Sequence, residues 1–81
     1  MQVDIGFKHT LTNGGSVSDA VDEVLSSIGQ VATLLNALGH SANVTIFVPS
    51  ESTKEQQYKI RAKSEEIKKG RISFKFLPCS F

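Results

Sequence analysis

Residues 17–38 read VSDAVDEVLSSIGQVATLLNAL, and this stretch decides the fold. At about 100° per residue, its apolar side chains fall on one half of a helical wheel and its polar ones on the other. The preceding Ser16 and Asp19 fit a capping box in which Asp replaces the usual Glu. Gly39 stands where a left-handed glycine commonly ends a helix. The sequence therefore predicts one amphipathic helix from Val17 to Leu38.

Three other segments predict β-strands. Residues 2–11 alternate between apolar and polar side chains, with His9 and Leu11 continuing the apolar face. Residues 43–48 are rich in β-branched side chains and are followed by Pro49. Residues 71–77 alternate again, and we expect Pro78 to end that strand. Each strand has one face that is more apolar than the other.

A second helix is predicted between the last two strands. Ser52 or Thr53 can cap it, and it runs to about Lys69. The element order is then β-α-β-α-β in a single domain, residues 1–81. One-sided strands favour a small two-layer α/β sandwich, with a three-stranded sheet and both helices on one face. The alternative is a three-layer arrangement with the helices on opposite faces.

Charge divides the chain into two unequal parts. Residues 1–50 carry one basic group and four acids, a balance of −3, and residues 51–81 carry eight basic groups and four acids, a balance of +4. Cys79 is the only cysteine, which suits a reducing compartment and predicts a cytoplasmic location. No apolar run approaches the ~18 residues of a membrane span, and no secretory signal precedes the first strand.

Catalytic and ligand-binding motifs are not evident in the sequence. The turn Asn13-Gly14-Gly15-Ser16 lacks the lysine of a phosphate loop, and acidic residues crowd the helix start that follows it. His9, His40 and Cys79 do not form a spaced cluster that would suit a metal or a nucleophile. We therefore predict no catalytic, cofactor or metal site and no enzymatic activity.

The second helix carries a basic stripe. Lys54, Arg61 and Lys68 recur every seven residues, and Tyr58 and Lys69 lie beside them. Such a stripe can contact phosphates and stack a base, or contact an acidic protein surface. Interspersed glutamates and a pI near 7.9 favour an ordinary solvated helix face instead.

Apolar residues outside the predicted core suggest a partner-binding surface. The long helix spans about 33 Å, whereas a strand of about seven residues spans about 23 Å. Either the first strand runs to Leu11, or the last helical turn overhangs the sheet and needs cover, most simply from a second copy. The candidate residues lie in that turn, on the outer sheet face and in the C-terminal tail: Leu34, Leu35, Leu38, Phe47, Leu77 and Phe81.

The element order resembles that of several small two-layer α/β modules, including RNA-binding and sulfur-carrier modules. The resemblance is of topology, and no functional residue is carried over. The Cys-Pro dipeptide of the sulfur carriers is absent, since Cys79 follows Pro78 in the tail, and the glycine-and-basic loop of some RNA-binding modules is also missing. We predict a non-enzymatic protein-binding module, a regulator or inhibitor that masks a partner surface and self-associates as a homodimer. The alternative is weak nucleic-acid binding through the second helix, and a third hypothesis is an enzyme-subunit or carrier role for Cys79.

Overall fold

The computed structural model describes residues 1–67 and 70–81. It confirms the α/β class and the three strands, and it adds one short helix near the N-terminus. The elements, in chain order, are β1 (Gln2–Ile5), α1 (Lys8–Thr12), α2 (Val17–Leu38), β2 (Ala42–Pro49), α3 (Lys54–Ile67) and β3 (Ile72–Cys79).

The three strands form one parallel sheet in the order β1-β2-β3. Connections between parallel strands are almost always right-handed, and both connections here step in the same direction across the sheet. The helices α2 and α3 therefore lie on one face and pack against each other. The predicted two-layer sandwich is confirmed, with Val44 and Ile46 of β2 buried beneath Val24, Ile28 and Ile60.

The long helix α2 begins and ends where its sequence predicts. The Ser16 hydroxyl accepts a hydrogen bond from the Asp19 N–H at 3.1 Å, and the Ser16 N–H donates to the Asp19 carboxylate at 3.0 Å. Gly39 adopts φ 68°, and its N–H donates to the Leu35 carbonyl. Both ends are set by contacts within four residues, which is why the sequence pattern locates them correctly.

The first strand is shorter than the alternation predicts, since β1 ends at Ile5 and the chain then forms α1. The predicted inward residues His9 and Leu11 are exposed, whereas Thr10, predicted to point outward, is buried together with Phe7. A separation of three residues is the spacing of a helix, so the apolar alternation past Ile5 was misleading. The expectation of a strand reaching Leu11 is therefore wrong.

The last strand continues through Pro78, which was expected to end it. The Arg71 carbonyl accepts a hydrogen bond from the N–H of Ala42 in β2, and the Cys79 carbonyl accepts one from the N–H of Ser50, which follows β2. In a parallel ladder the backbone groups of alternate residues face the same neighbour, so those of Pro78 point away from β2. Because β3 is an edge strand, the N–H that proline lacks would have had no partner in the sheet.

The third helix is capped by Thr53 rather than by Ser52. The Thr53 hydroxyl accepts from the Gln56 N–H at 3.1 Å, and the Thr53 N–H donates to the Gln56 side chain at 2.8 Å. The Ser52 hydroxyl instead donates to the Pro49 carbonyl. The predicted end of this helix at Lys69 lies outside the described residues.

Candidate functional site

The surface of α2 has an unusual composition in its C-terminal half. Between Val24 and Ser50 the sequence contains no Asp, Glu, Lys or Arg. In the central strand β2 the lack of charged residues follows from burial, but α2 lies at the surface. Leu34 is 59% exposed and Leu38 is 49% exposed. This half of α2 therefore presents large apolar side chains to solvent with no charged residue among them.

The exposed leucines lie on the side of α2 that faces away from α3. A Cβ added at Gly29 would lie 3.8 Å from Lys63 Cε, so Gly29 faces α3. At about 100° per residue, Leu38 is about half a turn from Gly29, and Leu34 and the half-buried Val31 lie close to Leu38. We call Val31, Leu34 and Leu38 the leucine flank.

The short helix α1 covers the N-terminal part of this same side of α2. Ala20 precedes Leu38 by five helical turns and so points the same way, but Ala20 is 0% exposed. Beside it, Glu23 accepts two hydrogen bonds from Thr10 of α1, at 2.7 and 2.8 Å. The leucine flank is thus the part of this side that α1 does not reach.

The leucine flank lies beside the edge strand β1. Since α2 connects two parallel strands, it runs antiparallel to them, and its C-terminal half lies over their N-terminal halves. Gln2 pairs in register with Asn43, just after the connection that leaves α2. Met1 is 59% exposed at this end of the sheet, and Val3 is half-buried. Sequence reasoning missed Met1, because a residue before the first strand has no pattern to place it.

The structure excludes Leu35 from the predicted partner-binding residues. Leu35 is 3% exposed and belongs to the hydrophobic core, because it lies on the side of α2 that faces the sheet. Leu34 and Leu38 are exposed, as the alternative with an overhanging last turn predicts.

The outer face of the sheet holds a second, smaller apolar area. Phe47 and Leu77 are paired in register and half-buried on this face. Phe47 also lines a cleft of about 230 Å³ together with Gly6, Leu11 and Cys79. Leu11 is 43% exposed and was missed here, since the strand pattern placed it in the core.

The C-terminal tail folds back onto the domain. The Phe81 ring stacks on that of Phe7 with 6.1 Å between centroids, and the Phe81 N–H donates to the Glu51 carboxylate at 3.0 Å. Phe81 is still 38% exposed. The Phe81 side chain therefore packs against its own domain and keeps an exposed part.

The predicted basic stripe is only partly within the described residues. Lys54, Tyr58 and Arg61 are all exposed on one face of α3, and Tyr58 is 70% exposed. The Arg61 guanidinium carbon lies 4.6 Å from the centroid of the Phe76 ring, a cation–π geometry. Lys68 and Lys69, which complete the predicted stripe, lie outside the described residues.

Two acidic side chains have perturbed pKa values, and both serve the fold. Hydrogen bonds from the Ser16 N–H and hydroxyl lower the pKa of Asp19. Burial pushes the pKa of Glu23 upward, but hydrogen bonds from Thr10 outweigh it and the pKa is lowered. Each carboxylate is held in its ionised form by donors at the start of α2 or in α1.

His9 lies close enough to Glu23 to help lower the pKa of that carboxylate. The Asn13 side chain lies 3.2 Å from His9 Nδ1 and donates to the His9 carbonyl. The Cys79 thiol lies 3.7 Å from the Ser80 carbonyl. Within residues 1–67 and 70–81, no three His, Cys, Asp or Glu side chains are placed to hold a metal ion.

Searches of protein-family models, curated proteins and solved structures find nothing that matches this chain. In the part of the chain that the structure describes, no helix has the length and apolar character to cross a membrane. The candidate site therefore rests on the geometry of the leucine flank.

Proposed function

We propose that this chain is a non-enzymatic protein-binding module, a regulator or inhibitor that masks a partner's surface. The observation that carries the proposal is the leucine flank, where two leucines about half exposed occupy an uncharged helix surface. Depletion of charge with retention of large apolar groups is the composition of protein interface cores. A cytoplasmic location belongs to the same proposal, since the single thiol of Cys79 suits a reducing compartment.

The energetics of the flank support a docking role. Fully burying a leucine side chain contributes about 1.5–3 kcal/mol, and Leu34 and Leu38 each have roughly half of that still to gain. No aspartate, glutamate, lysine or arginine on this half of α2 would need to be desolvated. The adjacent edge of β1 offers unpaired backbone groups, which favour strand addition by a protein chain.

The test compares affinity capture from native lysate by the wild type and by the double variant Leu34→Gln, Leu38→Gln. Captured proteins are quantified by mass spectrometry. Ala62→Gln is the matched control, because Ala62 is exposed on α3, away from the flank, and is not among the candidate binding residues. We expect the double variant to lose specific proteins that the control retains. Identical capture by all three chains would contradict the proposal.

Nucleic-acid binding is the second candidate function. It is supported by Tyr58, exposed between Lys54 and Arg61 on one face of α3. The exposed glutamates Glu55 and Glu65 on the same helix weaken the positive field. Binding of a labelled single strand at low and high salt tests it. Salt-dependent binding below about 100 µM, abolished by Arg61→Gln, would establish this function instead.

A further inference from the structure

We propose that the occupant of the leucine flank is a second copy of this chain, joined by antiparallel pairing of β1 with β1 about a two-fold axis. The pairing extends two three-stranded sheets into one of six strands and brings the two flanks together. This inference rests on the proposed function, since it names the partner of that same surface.

The backbone of β1 is prepared for such pairing. The Met1 carbonyl accepts a hydrogen bond from the Asn43 N–H at 2.8 Å, so Met1, Val3 and Ile5 direct their backbone groups toward β2. The alternating residues Gln2 and Asp4 direct theirs to the free edge. Proline is absent from β1, so the N–H groups of Gln2 and Asp4 are both available as donors.

Charge selects one register of this pairing. With Val3 at the two-fold axis, Gln2 lies opposite Asp4 of the second copy, and each pair exchanges two backbone hydrogen bonds. With Asp4 at the axis, two carboxylates lie directly opposite each other, which is destabilising. Within one chain, Gln2 Nε2 already donates to Asp4 Oδ1 at 2.9 Å, so the amide suits this carboxylate as a partner.

The helices add a second self-complementary contact. A two-fold axis places each surface opposite its own copy, so a charged residue at the axis lies opposite an identical charge. The C-terminal half of α2 has no Asp, Glu, Lys or Arg, so two leucine flanks can meet without repulsion. Two-fold pairing of β3 with β3 would instead bring like charges together. The β3 edge carries two basic groups, Arg61, which lies over Phe76, and the exposed Lys75.

Sedimentation equilibrium of the full chain, from about 5 to about 500 µM, tests the proposal. We expect a reversible monomer–dimer equilibrium in the wild type. The double variant Leu34→Gln, Leu38→Gln should raise the dissociation constant at least about tenfold. Ala62→Gln, at an exposed position of α3, should leave it unchanged.

A charge exchange on β1 tests the register. Gln2→Glu places a second carboxylate opposite Asp4 of the other copy, so we expect dimerisation to weaken at least about tenfold at low salt. Adding Asp4→Gln to Gln2→Glu restores an amide opposite a carboxylate and should restore dimerisation. Circular dichroism of each variant confirms that the monomer remains folded.

Two results would overturn this inference. One is a wild type that stays monomeric at about 500 µM. The other is a dimer that is insensitive both to the leucine variants and to Gln2→Glu. Neither result would remove the proposed function, because lysate capture that depends on Leu34 and Leu38 would then identify a different protein partner.

Discussion

Thr10 and Glu23 are joined by two hydrogen bonds, one from the Thr10 N–H at 2.8 Å and one from its hydroxyl at 2.7 Å, both to Glu23 Oε1. These bonds hold α1 against the side of α2 that also carries the leucine flank. The covered part contains the fully buried Ala20, and the uncovered part contains Leu34 and Leu38. The position of α1 thus decides how much of this side of α2 remains exposed to solvent.

Removal of the Thr10 hydroxyl should destabilise the protein. Thr10→Val retains the shape of the side chain but leaves Glu23 with one donor fewer, so we expect a loss of about 1–2 kcal/mol in the free energy of unfolding. Urea denaturation measures it. Thr12→Val is the matched control, because the Thr12 hydroxyl bonds only to exposed carbonyls of α1, and its effect should stay within about 0.5 kcal/mol. Equal effects of the two variants would contradict the anchoring role.

The stability contributed by Glu23 should depend on pH in acid. Its pKa is lowered in the folded state from an ordinary value of 4.5, so the unfolded state binds more protons as the pH falls. The contribution is therefore present above about pH 5 and is lost as the pH falls through the folded pKa. We expect Glu23→Gln to be less stable than wild type by about 1 kcal/mol at pH 7. This is the value of a hydrogen bond to a charged group, reduced because Glu23 is partly exposed to solvent. Urea titrations from about pH 7 to about pH 3 should show this difference shrink; a constant difference would contradict it.

Gly29 within α2 and Gly39 just after it should respond to alanine in opposite directions. Gly39 has φ 68°, so Gly39→Ala should lower the free energy of unfolding by about 1–2 kcal/mol, and Gly39→Asn by less. Gly29 lies within the helix, where an added Cβ meets Lys63 at an ordinary contact distance of 3.8 Å. Gly29→Ala should therefore raise the stability by about 0.5–1 kcal/mol. Thermal unfolding measures both, and the same sign for the two variants would be inconsistent with this backbone geometry.

The turn between α1 and α2 needs Gly15 for close packing. A Cβ at this position would lie 2.7 Å from Thr10 Cγ2 and 3.1 Å from Asp19 Oδ2. We expect Gly15→Ala to cost about 2 kcal/mol or more in denaturant unfolding, since both α1 and the capping box must shift. Gly14→Asn is the comparison, because Gly14 has φ 67° and open space around it, and asparagine tolerates this conformation. A neutral Gly15→Ala would show that the turn is looser than described.

The parts of the fold that depend on local contacts could be predicted from sequence. The ends of α2 follow from Ser16, Asp19 and Gly39, each of which bonds within four residues. The failures involve longer-range contacts. The strand expected to reach Leu11 gives way to α1, which is held by Glu23, thirteen residues after Thr10. Pro78 fits into β3 because β3 lies at the sheet edge, and strand order is not visible in a local pattern.

The candidate site could be predicted to the same partial extent. The length of the helix left two alternatives, and the one with an overhanging last turn agrees with the exposure of Leu34 and Leu38. Leu35 belongs to the predicted set because the whole last turn was expected to overhang the sheet, whereas its side chain faces the sheet and is 3% exposed. Met1 and Leu11 were missed, since their exposure depends on where β1 and α1 begin and end.

The most direct test of the central claim is site-specific photocrosslinking at the leucine flank. A benzophenone amino acid replaces Leu34 or Leu38 in turn, with the exposed Ala62 of α3 as the control position, and the purified chain is irradiated in native lysate. The claim predicts specific crosslinks to a protein chain, whether a second copy or another protein, from positions 34 and 38 but not from position 62. No crosslink from positions 34 and 38, or an equal pattern from all three positions, would contradict it.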